Sequence, residues 1–274
     1  MFSPIIAGTG ITGWNFLQAT YDRQFEAFSD SAQISSDADY LTEKLSSPLS
    51  TEEFLDDPRL RRATMMAFGL EGEEWKRGFI SKVLEEVTDS ESTFLTRLNN
   101  TEYTNFAEAF SPTDGQINLS ASAVADIAHQ FRERSFRVAV GNVDENQRLN
   151  LNYQAEIGNL VSSDSSSEAN LFRLLGSVPI RTVLDTALGL PSDVQSLDLD
   201  RQVEIYEDAL QSRLRISDVS ELTSEENISQ VIQRFSAFSA LNSAPSPTTP
   251  GATALTLLSG IGSIGSQNLF LSGF

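Results

Sequence analysis

The run SASAVADIAHQFRERSFRVAVGNV, residues 120–143, decides the fold class. Val124, Ile127, Ala128 and Phe131 recur at the three-and-four spacing of one helix face. The SFRVAVGNV stretch that follows alternates as a strand would, so the two halves make opposite demands. No turn residue separates them before Gly141, and no proline falls between Ser120 and Val161. A helical period once started has nothing there to stop it. The expectation is one long central helix, with Gly141 and Gly158 as the places where it can bend, inside an all-α, irregular multi-helix domain.

Working outward, the same period and clear caps mark further helices. Ser50 with Glu53 reads as a capping box, and Asp57-Pro58 puts an acceptor at N-cap and proline at the first helical position. Leu60, Ala63, Thr64 and Ala67 carry that helix to Gly69, which enters the left-handed region without a Cβ penalty, and Leu70 can fold back on it. Phe79, Ile80, Val83 and Leu84 form one apolar stripe, and Tyr103, Phe106, Ala107 and Phe110 another. SSDSSSE, 162–168, reads as a connection. Asp198 opens a helix that buries Val203, Tyr206, Leu210 and Leu214. Thr223 and Glu226 read as a capping box before Ile228, Val231, Ile232, Phe235 and Phe238.

PRLRRATMMAFGL (58–70) has an echo in PIRTVLDTALGL (179–190), where Arg181, Ala187, Gly189 and Leu190 match Arg61, Ala67, Gly69 and Leu70. Two related helical hairpins would explain it, and so would convergent helix-ending chemistry. A solenoid would need three or more units.

Charge is distributed unevenly along the 274 residues. The net charge is -19, and every Asp, Glu, Lys and Arg lies between Asp22 and Arg234. Phosphate backbones would be repelled, so no nucleic-acid partner is expected. Three prolines in NSAPSPTTPG, 242–251, mark a linker. The chain therefore divides into an uncharged N-terminal segment (1–20), an acidic helical domain (21–241), and a linker with an apolar tail (242–274). The two uncharged ends, expected to be weakly structured, are rich in apolar residues where ordinary disordered tails are polar. Trp14, Phe16, Leu17, Leu255, Leu257, Leu258 and Ile261 are the candidate partner contacts. Trp14 suits an interface or a core equally, while Trp75 reads as a core residue.

Residues that announce chemistry are sparse. There are no cysteines, and His129 is the only histidine, so neither a zinc site of usual type nor a serine triad has local support. No metal or cofactor is expected. Asp56-Asp57, Glu73-Glu74, Glu85-Glu86 and Glu225-Glu226 are neighbours in sequence. On a helix such neighbours diverge by about 100°, so they read as helix-end or solvated charge. GTGITG, 8–13, matches a dinucleotide-binding glycine pattern literally but has no βαβ context. No basic region opens the chain and no stretch of about 18 apolar residues occurs, so neither a cleaved secretory signal nor a membrane span is expected.

GWNFLQAT…Q (13–24), DPRLRR…AFGL (57–70), FISKVLEE (79–86), FAEAF (106–110), RSFRVAVG (134–141), PIR…ALGLP (179–191) and LDLDRQ (197–202) together resemble domain-of-unknown-function family 1217, encoded in bacterial flagellar gene clusters. The resemblance implies a mostly helical fold and a role connected with the flagellum, and it carries no catalytic motif. The resulting expectation is a non-enzymatic flagellum-associated structural or assembly protein, cytoplasmic or flagellum-associated. Its partners would be other flagellar proteins, and self-association is open to it. A cytoplasmic adaptor or chaperone for an export substrate is the alternative, and a cell-wall-acting enzyme the third reading.

Overall fold

The computed structural model describes residues 2–89, 92–98 and 100–243. Its helices are α1 (Gly10–Ser29), α2 (Ala32–Leu45), α3 (Thr51–Asp56), α4 (Pro58–Ala67), α5 (Arg77–Glu86), α6 (Phe94–Leu98), α7 (Thr101–Ala109), α8 (Ala121–Gly141), α9 (Glu145–Leu160), α10 (Ser167–Gly176), α11 (Val178–Leu188), α12 (Leu199–Ala209) and α13 (Glu225–Ser243). A two-residue antiparallel pair, β1 (Leu49–Ser50) with β2 (Gln116–Ile117), sets Leu49 opposite Ile117. Among the described residues the fold is all-α apart from this pair.

Helix wins throughout the deciding run, because Phe136 and Val140, four apart, both enter the core. The single long helix is corrected, however. The chain reverses over Asn142, Val143 and Asp144 and returns antiparallel as α9. Asp144 drives the break as an N-cap, its side chain accepting from the N–H groups of Asn146 and Gln147 at 2.9 and 3.4 Å. Gly141 is needed for closeness, since a Cβ there would lie 2.5 Å from Arg148 Cδ on the returning helix. Gly158 sits inside α9 with open space beside it and bends nothing.

Helix α8 is shared by two cores. Its first half gives Val124, Ile127, Ala128 and Phe131 to one core, which α2 to α5 and α7 complete. Phe54, Phe68, Phe106 and Phe110 meet there, with the Phe106 and Phe110 ring centroids 5.1 Å apart. The second half gives Phe136 and Val140 to a core made with α1 and α9 to α13. Tyr21, Phe25 and Phe28 of α1 surround Phe136 at 5.4 to 5.7 Å. The uncharged N-terminal stretch, expected to be weakly structured, is helical from Gly10 because its apolar side packs into this core.

The repeated glycine motif supplies the central helix of each core. Gly69 (φ +75°) and Gly189 (φ +60°) are left-handed. Leu70 N–H bonds to the Met65 carbonyl and Leu190 N–H to the Asp185 carbonyl, both at 2.8 Å, which is the Schellman closure twice over. The arginine eight residues before each glycine ties its helix to the chain that follows. Arg61 donates to the Glu74 carbonyl at 3.0 Å, and Arg181 to the Gln202 side chain at 2.7 Å. Guanidiniums from elsewhere face both helix ends, Arg134 at Gly69 and Arg213 at Gly189, where the helix dipole favours cations.

Ser50–Glu53 and Asp57 cap as the sequence suggests. Thr223 does not. Its hydroxyl donates to the Ser220 carbonyl at 2.8 Å, and Ser224 takes the cap of α13, accepting from Asn227 N–H at 3.3 Å. Asp218 and Glu221 make the capping box instead, one short helical turn earlier.

Candidate functional site

The glycines of GTGITG are spent on a reversal. Gly8 (φ +90°) and Gly10 (φ +57°) turn the N-terminal segment back along α1, and a Cβ on Gly13 would lie 2.9 Å from the Gly8 carbonyl. Gln24 pins that segment by accepting from Ile5 N–H at 2.7 Å and donating to the Ile5 carbonyl at 3.0 Å. The Ile5 side chain is left exposed.

Of the expected partner contacts on α1, Trp14 and Leu17 are corrected by this packing. Trp14 is only 8% exposed and Leu17 fully buried, so both belong to the core with Phe136, and Phe16 is half-buried. Ile11 and part of Phe16 are apolar surface that α1 keeps outside this core. Leu255, Leu257, Leu258 and Ile261 lie outside the described residues. Trp75 reverses its reading too. It sits in the turn after α4, 73% exposed, with the Lys76 ammonium 5.5 Å from its ring centroid.

Tertiary structure brings the two uncharged flanks together. Gly10, at the start of α1, lies against the end of α13, where a Cβ would sit 3.2 Å from the Ser236 carbonyl oxygen and 3.5 Å from Ala240 Cβ. Beneath this contact, Gln147 donates to the Gly10 carbonyl at 3.0 Å, and Asn150 donates to Gln147 Oε1 and Ser236 Oγ, both at 3.2 Å. Gln147 and Asn150 are fully buried, so these bonds are made where water cannot replace them. The start of α1 and the end of α13, both without ionisable side chains, therefore lie side by side next to the start of α9, which carries Asp144 and Glu145. Ile11, 38% exposed, adjoins Gly10, and Leu241, 69% exposed, adjoins Ala240. Sequence reading found both flanks uncharged. It had no signal that they touch.

A second feature lies at the junction of the two cores. Glu156 on α9 accepts from Arg134 and Arg137 on α8, both at 2.9 Å. Arg137 is buried, and Arg134 also occupies the space a Gly69 side chain would need. A cavity of about 110 Å³ opens beside them, lined in part by Asn105, Arg148, Asn152 and Ser177. Arg134 and Arg137 pair with Glu156 there, and Arg148 pairs with Glu145 and lies 3.8 Å from Glu71, which makes the cluster an interlock between the cores.

Burial by itself would raise the Glu156 carboxyl, but Arg134 and Arg137 outweigh it and hold it below the ordinary glutamate range. Asp57 follows the same pattern, burial being outweighed by the Leu60 N–H, the Tyr40 hydroxyl and the Arg59 N–H. A carboxyl depressed in the folded state contributes stability above its unfolded pKa and loses it as pH falls through the folded value. Stability is therefore expected to fall as pH drops below about 4.5, the unperturbed glutamate value, with the Glu156 share lost at still lower pH. Urea midpoints measured from pH 7 to pH 2 check this, and a midpoint that rises on acidification would contradict it.

The other titratable candidates have structural work. His129 is exposed, with Glu133 at 3.5 Å. Asp56 pairs with Arg77, Glu73 with Lys76 and Tyr103, and Glu86 with Lys82. Among the described residues no group of three or more acids and histidines is placed to hold a metal ion, and no helix is long and apolar enough to cross a membrane.

Comparison with known proteins agrees with this architecture. The X-ray crystal structure of protein AGR_C_984 from Agrobacterium tumefaciens matches with a TM-score of 0.67, covering 89% of this chain and 100% of that one at 20% identity. At that identity the likeness concerns the fold alone. No curated protein matches. A family model described as "Protein of unknown function (DUF1217)" matches residues 67–228, from the end of the first glycine-terminated helix into α13. With more than half its length matched, and with both repeated helix ends inside that span, the chain belongs to the DUF1217 family.

Proposed function

We propose that this protein is a non-enzymatic, flagellum-associated structural or assembly component that works through protein–protein contacts where its two uncharged flanks meet. The observation that carries the reading is the meeting of Gly10 with Ser236 and Ala240, which sets the start of α1 beside the end of α13, both free of ionisable side chains. A net charge of -19 keeps the bodies apart and in water, while an uncharged surface can be covered without stripping water from ions. The flagellar assignment comes from the gene-cluster setting that the family resemblance implies. Deleting the gene and staining flagella tests it: fewer or shortened filaments and reduced swimming are expected. Normal flagella and normal swimming would reject the role. Fractionation then separates the two forms of it, since an assembly component copurifies with basal bodies and an adaptor for an export substrate stays in the cytosol.

A further inference from the structure

We infer that the cavity between the two cores is a binding site for one small oxyanion, of the phosphate or short-chain carboxylate class, held by Arg134, Arg137 and Arg148. It uses none of the residues on which the proposed function rests, so either can fail without the other.

The interlock leaves donors over. Arg134 and Arg137 meet on the same Glu156 oxygen, Oε1, at 2.9 Å each, while Oε2 accepts from Asn159 at 3.3 Å. Two guanidiniums therefore share one carboxylate. Beyond Glu156, Arg137 reaches only the Asn152 side chain at 3.5 Å, although its own side chain is just 8% exposed. A guanidinium carries five N–H donors, so most of those on Arg134 and Arg137 have no protein acceptor among the described residues. Arg148 grips Glu145 through Nε and Nη2 at 2.9 and 2.6 Å. Its Nη1 is left 3.8 Å from Glu71 Oε1, beyond hydrogen-bond reach.

Charge at the cavity sorts by depth. Glu71 and Glu102 also line it, but Glu71 is exposed and Glu102 lies in the first turn of α7, where water screens them. The inner groups, Arg134, Arg137 and Glu156, sum to one positive charge, and inner charges act through the lower dielectric. Glu156 already reads that field, since the two arginines hold its carboxyl ionised against the pull of burial. Helix α11 adds to it. Its N-cap, Ser177, lines the cavity and makes no side-chain cap bond, so the positive end of the helix dipole borders the same space. One water needs roughly 10 to 15 Å³ of such space, so a cavity of about 110 Å³ has room for a small anion and several waters.

The test uses the full chain in Tris chloride at constant ionic strength, with phosphate, sulfate and acetate as separate probes and titration calorimetry as the readout. Saturable binding of one anion per chain is expected, with Kd on the order of 1 mM or tighter. Tightest binding by phosphate and sulfate assigns the site to tetrahedral anions, and tightest binding by acetate assigns it to carboxylates; either supports it. Arg148→Gln, and Asn105→Asp on the exposed wall of the cavity, should each weaken binding roughly tenfold or more, the worth of one hydrogen bond to a charged group. Arg132→Gln removes the same charge from α8 outside the cavity and should leave binding unchanged. Glu156→Gln removes the internal competitor, so it should bind phosphate more tightly than the native chain, and phosphate should raise its Tm more than the native Tm. A purely structural ion pair would show no such rescue. No saturable binding of any probe up to about 20 mM would overturn the site. So would equal weakening by Arg132→Gln, or binding that ignores both Arg148→Gln and Asn105→Asp. Those two variants decide the matter alone if Glu156→Gln does not fold.

Discussion

Replacing Glu156 by glutamine is expected to cost about 2 to 3 kcal/mol of stability, below the roughly 3 to 5 kcal/mol of a fully buried ion pair because the Glu156 and Arg134 side chains stay 23% and 24% exposed. Arg137, buried under α9, and Arg134, beneath the Gly69 turn, share this one carboxylate at 2.9 Å each. The glutamine keeps the shape and one acceptor but removes the charge, leaving two guanidiniums close together and only partly solvated. For a chain of this length the loss amounts to a fall in Tm on the order of 10 °C. Chemical denaturation of both proteins at pH 7 measures it. The difference should shrink in acid, where the native carboxyl becomes protonated as well. A loss below about 1 kcal/mol would show that water reaches the cluster freely and that it does not lock the cores. Apolar replacement of Glu156, Arg134 and Arg137 together should be milder than Glu156→Gln, because no unpaired charge remains.

Gly69→Ala should destabilise by roughly 2 to 3 kcal/mol, and Gly189→Ala by about 1 kcal/mol, although both glycines close the same motif. Each alanine would suffer the left-handed backbone at φ +75° or +60°. Only at Gly69 does the added Cβ also meet an obstacle, the Arg134 Nη1 at 2.3 Å, whereas at Gly189 the Arg213 Nη1 is 3.4 Å away. Arginine tips usually move aside, but Arg134 is held by Glu156, so displacement also strips one partner from the interlock. In an Arg134→Ala background the cost of Gly69→Ala should fall toward that of Gly189→Ala, a coupling that a double-mutant cycle reads directly. Equal costs at the two glycines in the native background would contradict the steric account.

Family membership and the helical fold were legible in the chain, as were the Schellman endings and the Asp57 and Asp198 caps. All of these depend on neighbours within about one helical turn, where backbone hydrogen bonding and glycine's freedom act independently of the rest of the molecule. The misreadings share a cause as well. Asp144 ended the central helix because its own cap competed successfully with continued helical period, and Ser224 outbid Thr223 by a single position. Trp75 came to the surface and Trp14, read as suiting interface or core equally, went to the interior, because a tryptophan's burial depends on what packs over it.

By itself, the sequence determined where charge is absent, where helices end and which residues have apolar neighbours at helical spacing. The tertiary structure decided that Gly10 meets Ala240, that Glu156 serves two arginines at the seam between the cores, and that one side of α1 is consumed by Phe136. Those outcomes join residues 19 to more than 200 positions apart, and local propensity carries no information about which distant partner will fill a given space.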